Sequence, residues 1–509
     1  MLGTPSSLTW PDFAVLAVAL GILLAIGVAL AGEQRDTADF FLADRRLSWW
    51  AVALSFLATE INAVTLLSVP ATTYSENWQY AQFFVGSSLA KLVVAFLFIP
   101  AFYRHGVTTI YEFLAQRFGR ATQVTASIFF FVTRLAGSGV RLMAAALAVA
   151  ILMGWPLAPT LAMFTVVSIL YIGAGGVKAV VWTNVVQAVV FLLAGAVTLG
   201  YLLFHIHGGA GAVVRIAGEA GRLTVINWGP APGAPDFWRR IFTEPNIMWV
   251  AVLNGLVGST AAFGTDHDLV QRLLTVKTRR ESQRALALTP LGTLLTLAIY
   301  LSLGTALYAF YAQNPGLPVP RPDQILPHYV QQMLPPVLRG LMLSALVLAS
   351  IDSPLGSMAA SFVTDIYRPL LVRHRGESHY LLISRVSVVV FGLALAGIAY
   401  GLSFFDTVLW LAFKIAGVTL GSLLGVFLLG LLTRRPVSDR ANVAAMIVMA
   451  VVDLVLLALS EAGWLPLAWS WLLIVGTAGT IVLALALDVR RGSGALPPRP
   501  AGISGIRRP

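Results

Sequence analysis

Runs of about 20 almost wholly apolar residues follow one another along the chain, each long enough to cross a hydrocarbon layer as a helix. About thirteen such windows stand out, near residues 10–32, 48–70, 79–103, 121–151, 157–175, 180–205, 245–264, 284–312, 335–361, 381–401, 406–432, 441–460 and 467–488. Short polar connections part them. The pattern predicts an all-α polytopic membrane protein of about 13 transmembrane helices, because only helices satisfy every backbone group within a single apolar segment. The first window lacks the basic leader of a signal peptide and is too long for one, so it belongs to the mature protein.

Two windows carry polar residues at their centres. In LSFLATEINAVTLLSVP (54–70), Glu60 and Asn62 sit midway and Pro70 lies at the end. Five spans later, PNIMWVAVLNGLVGSTAAFG (245–264) is interrupted by Asn254, Gly255, Gly258, Ser259 and Thr260. Interrupted segments in matching places of two halves point to a transporter's midplane binding site. Residues 48–205 and 245–432 then form two five-helix repeats of inverted topology. An extra first helix lies within 1–32, two more helices within 441–488, and a disordered tail at 489–509. The plainer alternative is that glycine and serine only let helices pack closely.

Composition agrees with lipid as the solvent: 58% of residues are hydrophobic and only 11% charged. Cysteine is absent, so no disulfide forms. The net charge of +11 sits mostly in alternate connections, such as Arg45–Arg46, Arg279–Arg280 and Arg434–Arg435, rather than in a nucleic-acid-binding patch. By the excess of basic residues in cytoplasmic loops, the N-terminus lies outside and the tail in the cytoplasm of a cell's inner (plasma) membrane. No Gly-rich phosphate loop, HExxH, CxxC or nucleophile elbow occurs, which counts against an ATP-driven pump or an enzyme.

Four passages resemble the sodium:solute symporters, the family of sodium–glucose, sodium–proline and sodium–sialic acid transporters. They are TADFFLADRRLSWW (37–50), GGVKAVVWTNVVQ (175–187), GTDHDLVQRLL (264–274) and SFVTDIYRP (361–369). The resemblance implies a LeuT-like, five-plus-five inverted repeat of the APC superfamily with flanking helices, and uptake of a solute driven by sodium through alternating access. It places the backbone oxygens of Ala58 and Ile61 on a sodium ion, with a further oxygen from Leu346 and the hydroxyl of Ser350. Two positions depart from the family's pattern: Ala349 stands where many relatives have a second hydroxyl, and Asn184 where they commonly carry an aspartate. Asp352, directly or through Ser353, then supplies the negative charge. Two other readings stay open: that Asp352 caps local backbone or pairs with an arginine, or that it takes up a proton, making H⁺ the coupling ion.

The solute is less legible. Arg134 and Arg141 lie two turns apart on one helix face, suited to a carboxylate or to neutralising Glu60 and Asp352. Glu60 meets a solute amine or hydroxyl, or pairs with one of those arginines. Asn62 and Thr65 extend the lining, joined by Gln82, Ser87, Asn254, Ser259 and Phe263, the last as an aromatic gate. Together they suggest a small polar solute, with a carboxylate-bearing one preferred over a neutral sugar. Lys91 faces the bundle or snorkels, Lys414 is structural, and His267 is expected in solvent. No nucleic acid and no obligatory protein partner are expected beside solute and bilayer. Competing functions are a proton-coupled carrier or uniporter of the same fold, and a solute sensor that does not transport.

Overall fold

The computed structural model describes residues 8–30, 36–61, 63–317, 321–351, 354–404 and 408–489. Among them the chain is helical throughout, with no strand beyond an isolated bridge between Leu47 and Val276. In the first half the helices are α1 (Trp10–Ala29), α2 (Thr37–Leu42), α3 (Trp49–Glu60), α4 (Ala63–Ser75), α5 (Ala81–Val93), α6 (Ile99–His105), α7 (Ile110–Arg117), α8 (Arg120–Met153), α9 (Leu157–His205) and α10 (Gly209–Glu219). The second half holds α11 (Phe237–Thr243), α12 (Met248–Thr265), α13 (His267–Leu273), α14 (Arg279–Gln313), α15 (Ile325–Met333), α16 (Leu338–Ile351), α17 (Leu355–Ser361), α18 (Glu377–Leu402), α19 (Val408–Leu432), α20 (Asp439–Glu461) and α21 (Ser470–Val489).

Among the described residues, nine helical stretches are long and apolar enough to cross a membrane, and the bent pair α3–α4 makes a tenth. Shorter apolar helices at Leu338–Ala349 and Gly417–Leu432 fall in the windows near 335–361 and 406–432. The windows at 157–175 and 180–205 share the 49-residue α9. At about 1.5 Å per residue that helix is more than twice the hydrocarbon thickness. It is divided at Gly176, whose φ of 57° and ψ of −153° suit only glycine. A Cβ there would also lie 2.7 Å from the Phe40 carbonyl oxygen.

The helix ends are fixed by side chains from elsewhere as well as by local caps. Asp439, at the start of α20, accepts from the amides of Ala121 and Thr122 and so caps α8. Thr278 and Glu281 form a reciprocal capping box on α14. Arg339 reaches Asp12 at 2.6 Å, both buried, and ties the first turn of α16 to α1.

One expectation fails. The segment near 254–260 was expected to unwind, yet α12 runs unbroken from Met248 to Thr265. Its glycines serve packing instead. A Cβ on Gly255 would lie 2.1 Å from the Phe83 carbonyl oxygen, and one on Gly86 would lie 2.0 Å from that of Val252. α5 and α12 therefore meet backbone to backbone, the small-residue contact typical of membrane helices. The break comes later, at Asp266, whose extended backbone (φ −94°, ψ 115°) separates α12 from α13.

Candidate functional site

The first broken helix is where expected. α3 ends at Glu60, Ile61 is extended (φ −94°, ψ 111°), and the axis turns by 57° before α4 continues. The Ile61 amide donates to the Leu57 carbonyl at 2.9 Å, the last helical bond of α3. A helix that stops there leaves its final carbonyls to find partners outside the helix. Ala58 and Ile61 are both buried. On one side, the Asn184 amide of α9 donates to the Ser55 hydroxyl at 3.3 Å and the Thr59 hydroxyl at 3.1 Å. Leu346 is buried in α16, which packs against α1, α8 and α9 and touches α4. Asn62, Asp352, Ser353 and the side chain of Ser350 lie outside the described residues.

Glu60 has a partner the sequence did not suggest. Its Oε2 accepts from Lys91 Nζ at 2.7 Å and lies 2.9 Å from the Thr293 hydroxyl of α14. Lys91 Nζ also donates to Thr293 Oγ1 at 2.7 Å and stands 5.3 Å from the Phe263 ring centroid. Lys91 thus faces the bundle, with no accessible side chain. The triad joins α3, α5 and α14 at the level of the break.

The remaining candidates divide by what they touch. Ser259 donates to Ser87 at 2.8 Å across the close α5–α12 contact. Phe263 packs edge-on against Phe56, ring centroids 5.3 Å apart. Asn254 is buried beside them, Thr65 is half-buried on α4, and Arg141 is half-buried on α8. Gln82 is engaged elsewhere. Its amide nitrogen donates to the Gln79 and Asn246 carbonyls and its oxygen accepts from the Asn227 amide, which pins the 220–247 loop to α5.

Arg134 was expected against the solute's acid, Glu60 or Asp352. The structure places its Nε 2.9 Å from Asp266 Oδ1 and 2.7 Å from Oδ2, with Nη2 3.4 Å from Asp268. Asp268 in turn accepts from Arg272 at 3.1 Å and from the Ser357 hydroxyl at 2.9 Å. Burial works against the charge on Asp268, but Arg272 and then Arg134 outweigh it and lower the carboxyl to about 2. Two arginines and two aspartates balance, joining α8, α13 and α17 at the second break. His267, expected in solvent, is fully buried among Tyr111 and Phe130, and burial pushes its imidazole down to about 3. A DxD pair beside the end of an apolar run looks solvated until an arginine from a distant helix is brought to it.

The first three sequence passages pack against one another. Lys178 reaches Asp39 at 2.9 Å, Trp50 packs edge-on to Trp182, and the Gln271 amide donates to the Phe41 carbonyl at 2.9 Å. In the fourth passage Asp365, for which the sequence alone offers no role, is wholly buried. It accepts from Thr109 (2.5 Å), Gln123 (2.8 Å), Ser127 (2.8 Å) and Ser361 (2.7 Å). Burial pushes its carboxyl up to about 7 against the pull of these hydrogen bonds, and Glu112 adds to the rise.

Residues 40–485 match the model of the sodium:solute symporter family. Over 441 residues the chain is 30% identical to the human sodium-coupled monocarboxylate transporter 1, covering 84% of this chain and 70% of that protein. Over 460 residues it is 29% identical to the sodium/sialic acid symporter NanT of Aliivibrio fischeri, covering 87% of each. The fold matches the substrate-bound outward-open state of a sodium-coupled sialic acid symporter with a TM-score of 0.83, covering 95% of this chain and 98% of the other at 22% identity. It also matches a nucleobase-cation-symport-1 family transporter in a closed conformation, with a TM-score of 0.52 at 17% identity, covering 90% of this chain and 96% of the other.

Proposed function

The chain belongs to the sodium:solute symporter family, and on that premise we propose uptake of a small, carboxylate-bearing organic solute by alternating access. Its transport is sodium-coupled, it spans the membrane many times, and it is a carrier rather than an enzyme. The observation that carries the reading is the break of α3 at Ile61, beside a buried polar cluster in an otherwise apolar bundle.

Sodium enters as a co-substrate. A hard cation takes several oxygen ligands, and the carbonyls of Ala58 and Ile61, released where the helix ends, suit it without special side chains. Leu346 and Ser350 on α16 complete the set in this reading, with Asp352 and Ser353 adding charge and a hydroxyl. The ion holds the two halves of the broken helix in one geometry and so favours the conformation that accepts solute.

The Arg134–Asp266–Asp268–Arg272 cluster serves as the inner closure. It links α8 to the second break, and such a group of charges separates readily once water reaches it. In this reading the basic connections of the sequence face the cytoplasm together with this cluster, and the N-terminus lies outside. Arg141, one face with Arg134 but further along α8, is the residue assigned to the solute's acid group. Two relatives, named for monocarboxylate and for sialic acid, support a carboxylate over a neutral sugar.

The test is a thermal-stability panel of the purified protein against carboxylic acids, amino acids and sugars, each with and without sodium. Ligand at a hundredfold excess over Kd adds about 2.7 kcal/mol to apparent stability. Stabilisation by an acid that needs sodium supports the reading, and a sodium-independent response to sugars alone contradicts it.

A further inference from the structure

Glu60 and Lys91 form a buried ion pair whose two ends are unequal. The lysine side chain has 0% accessible surface, while that of Glu60 keeps 11%. Among the described residues, both hydrogen bonds to the carboxylate fall on Oε2, from Lys91 and Thr293. Oε1 takes no hydrogen bond among the described residues, although a carboxylate offers about four acceptor sites in all. The lysine has no such freedom. Its ammonium is held by Glu60 and Thr293 with the Phe263 ring 5.3 Å away, so it does not reach a solute. The open acceptor belongs to the last residue of α3, next to the extended Ile61.

Resting on the reading of a carboxylate-bearing solute, we infer that Glu60 Oε1 is the solute's second contact and that Lys91 is its positioning residue. The acceptor takes a neutral donor, a hydroxyl or an amide N–H, in preference to an ammonium. Charge balance makes the choice. Lys91 already compensates Glu60, so a neutral donor leaves the buried pair balanced. An ammonium adds an uncompensated positive charge where the dielectric is low. A solute with an acid group alone leaves Oε1 unmatched once water is displaced, and an unmade hydrogen bond is the larger penalty. The site therefore favours hydroxy acids over the corresponding unsubstituted and amino acids.

Three-carbon acids test this as a matched set: propanoate, 2-hydroxypropanoate and 2-aminopropanoate, taken up by proteoliposomes under an imposed sodium gradient. The native protein is expected to show a KM for the hydroxy acid about tenfold below that for propanoate, the worth of one charge-assisted hydrogen bond, with the amino acid poorest. In the apolar double variant Glu60→Met/Lys91→Met the pair is removed whole, which leaves no stranded charge. There the hydroxy-acid preference should shrink to within about twofold. Lys91→Met alone leaves Glu60 uncompensated, and the preference should turn toward 2-aminopropanoate, which a packing role for the lysine would not produce. Equal treatment of the three acids by the native protein, or a hydroxy-acid preference that survives in the double variant, overturns the inference. Absence of sodium-driven uptake of all three overturns the proposed solute class and this assignment with it.

Discussion

Arg134 on α8 grips Asp266, the residue at which α12 breaks, through an Nε that lies within 2.9 Å of both carboxylate oxygens. The contact ties a long continuous helix to the second discontinuity of the fold, and both side chains are buried. Removing one partner of a buried pair strands the other. Arg134→Met is expected to lose about 3–5 kcal/mol of stability. Arg134→Met/Asp266→Asn should recover at least half of that, read as thermal stability in detergent. A stable single variant that has lost only solute affinity would return the arginine to the solute site.

The α5–α12 contact makes a sharper contrast among glycines of one helix. Gly255→Ala drives a methyl to 2.1 Å from the Phe83 carbonyl oxygen, so the helices must part. A loss of about 1–3 kcal/mol, or of folded protein altogether, is expected. Gly258→Ala meets nothing nearer than Asn254 Oδ1 at 3.5 Å and should stay within about 0.5 kcal/mol. Equal melting temperatures for the two variants would contradict the packing role.

Asp365 gives a pH dependence with a definite sign. Its carboxyl is raised in the folded protein from 3.8 to about 7. Between those values the native state binds more protons than the unfolded chain, so stability falls as pH rises through the window and levels off above it. The contribution is at most about 3–5 kcal/mol. Asp365→Asn keeps the shape without the titration, and its melting temperature should decline less than that of the native protein between pH 5 and pH 8. Parallel declines would remove Asp365 as the cause.

Two positions at the proposed cation site predict opposite effects. Ala349→Ser adds a hydroxyl where this chain has none and should lower the half-saturating sodium concentration roughly three- to tenfold. Asp352→Asn should abolish ion-driven accumulation while the protein still folds. Unchanged sodium dependence in both would move the ion elsewhere.

Much of the architecture is legible in the apolar windows, because lipid demands helices of a set length. The first break is legible too, since Glu60 and Asn62 have no place in an uninterrupted membrane helix. The second was misplaced by ten or so residues. Asn254, Gly255 and Gly258 read as a helix interruption, but glycine also permits backbone contact, and which use prevails depends on whether Gly86 lies opposite. The partners of Glu60 and Arg134 were hidden for a related reason. Lys91 and Asp266 come from other helices, and an isolated charge in an apolar run shows that a partner exists without showing which. Asp365 carries no such signal, since its partners are hydroxyls and an amide that are unremarkable in sequence.

The most direct measurement is solute uptake by proteoliposomes loaded without sodium and diluted into sodium, with the pH gradient collapsed by an ionophore. The account predicts accumulation above the equilibrium level that follows the sodium gradient and vanishes when potassium replaces sodium. Accumulation that ignores sodium and disappears with the pH gradient would contradict it.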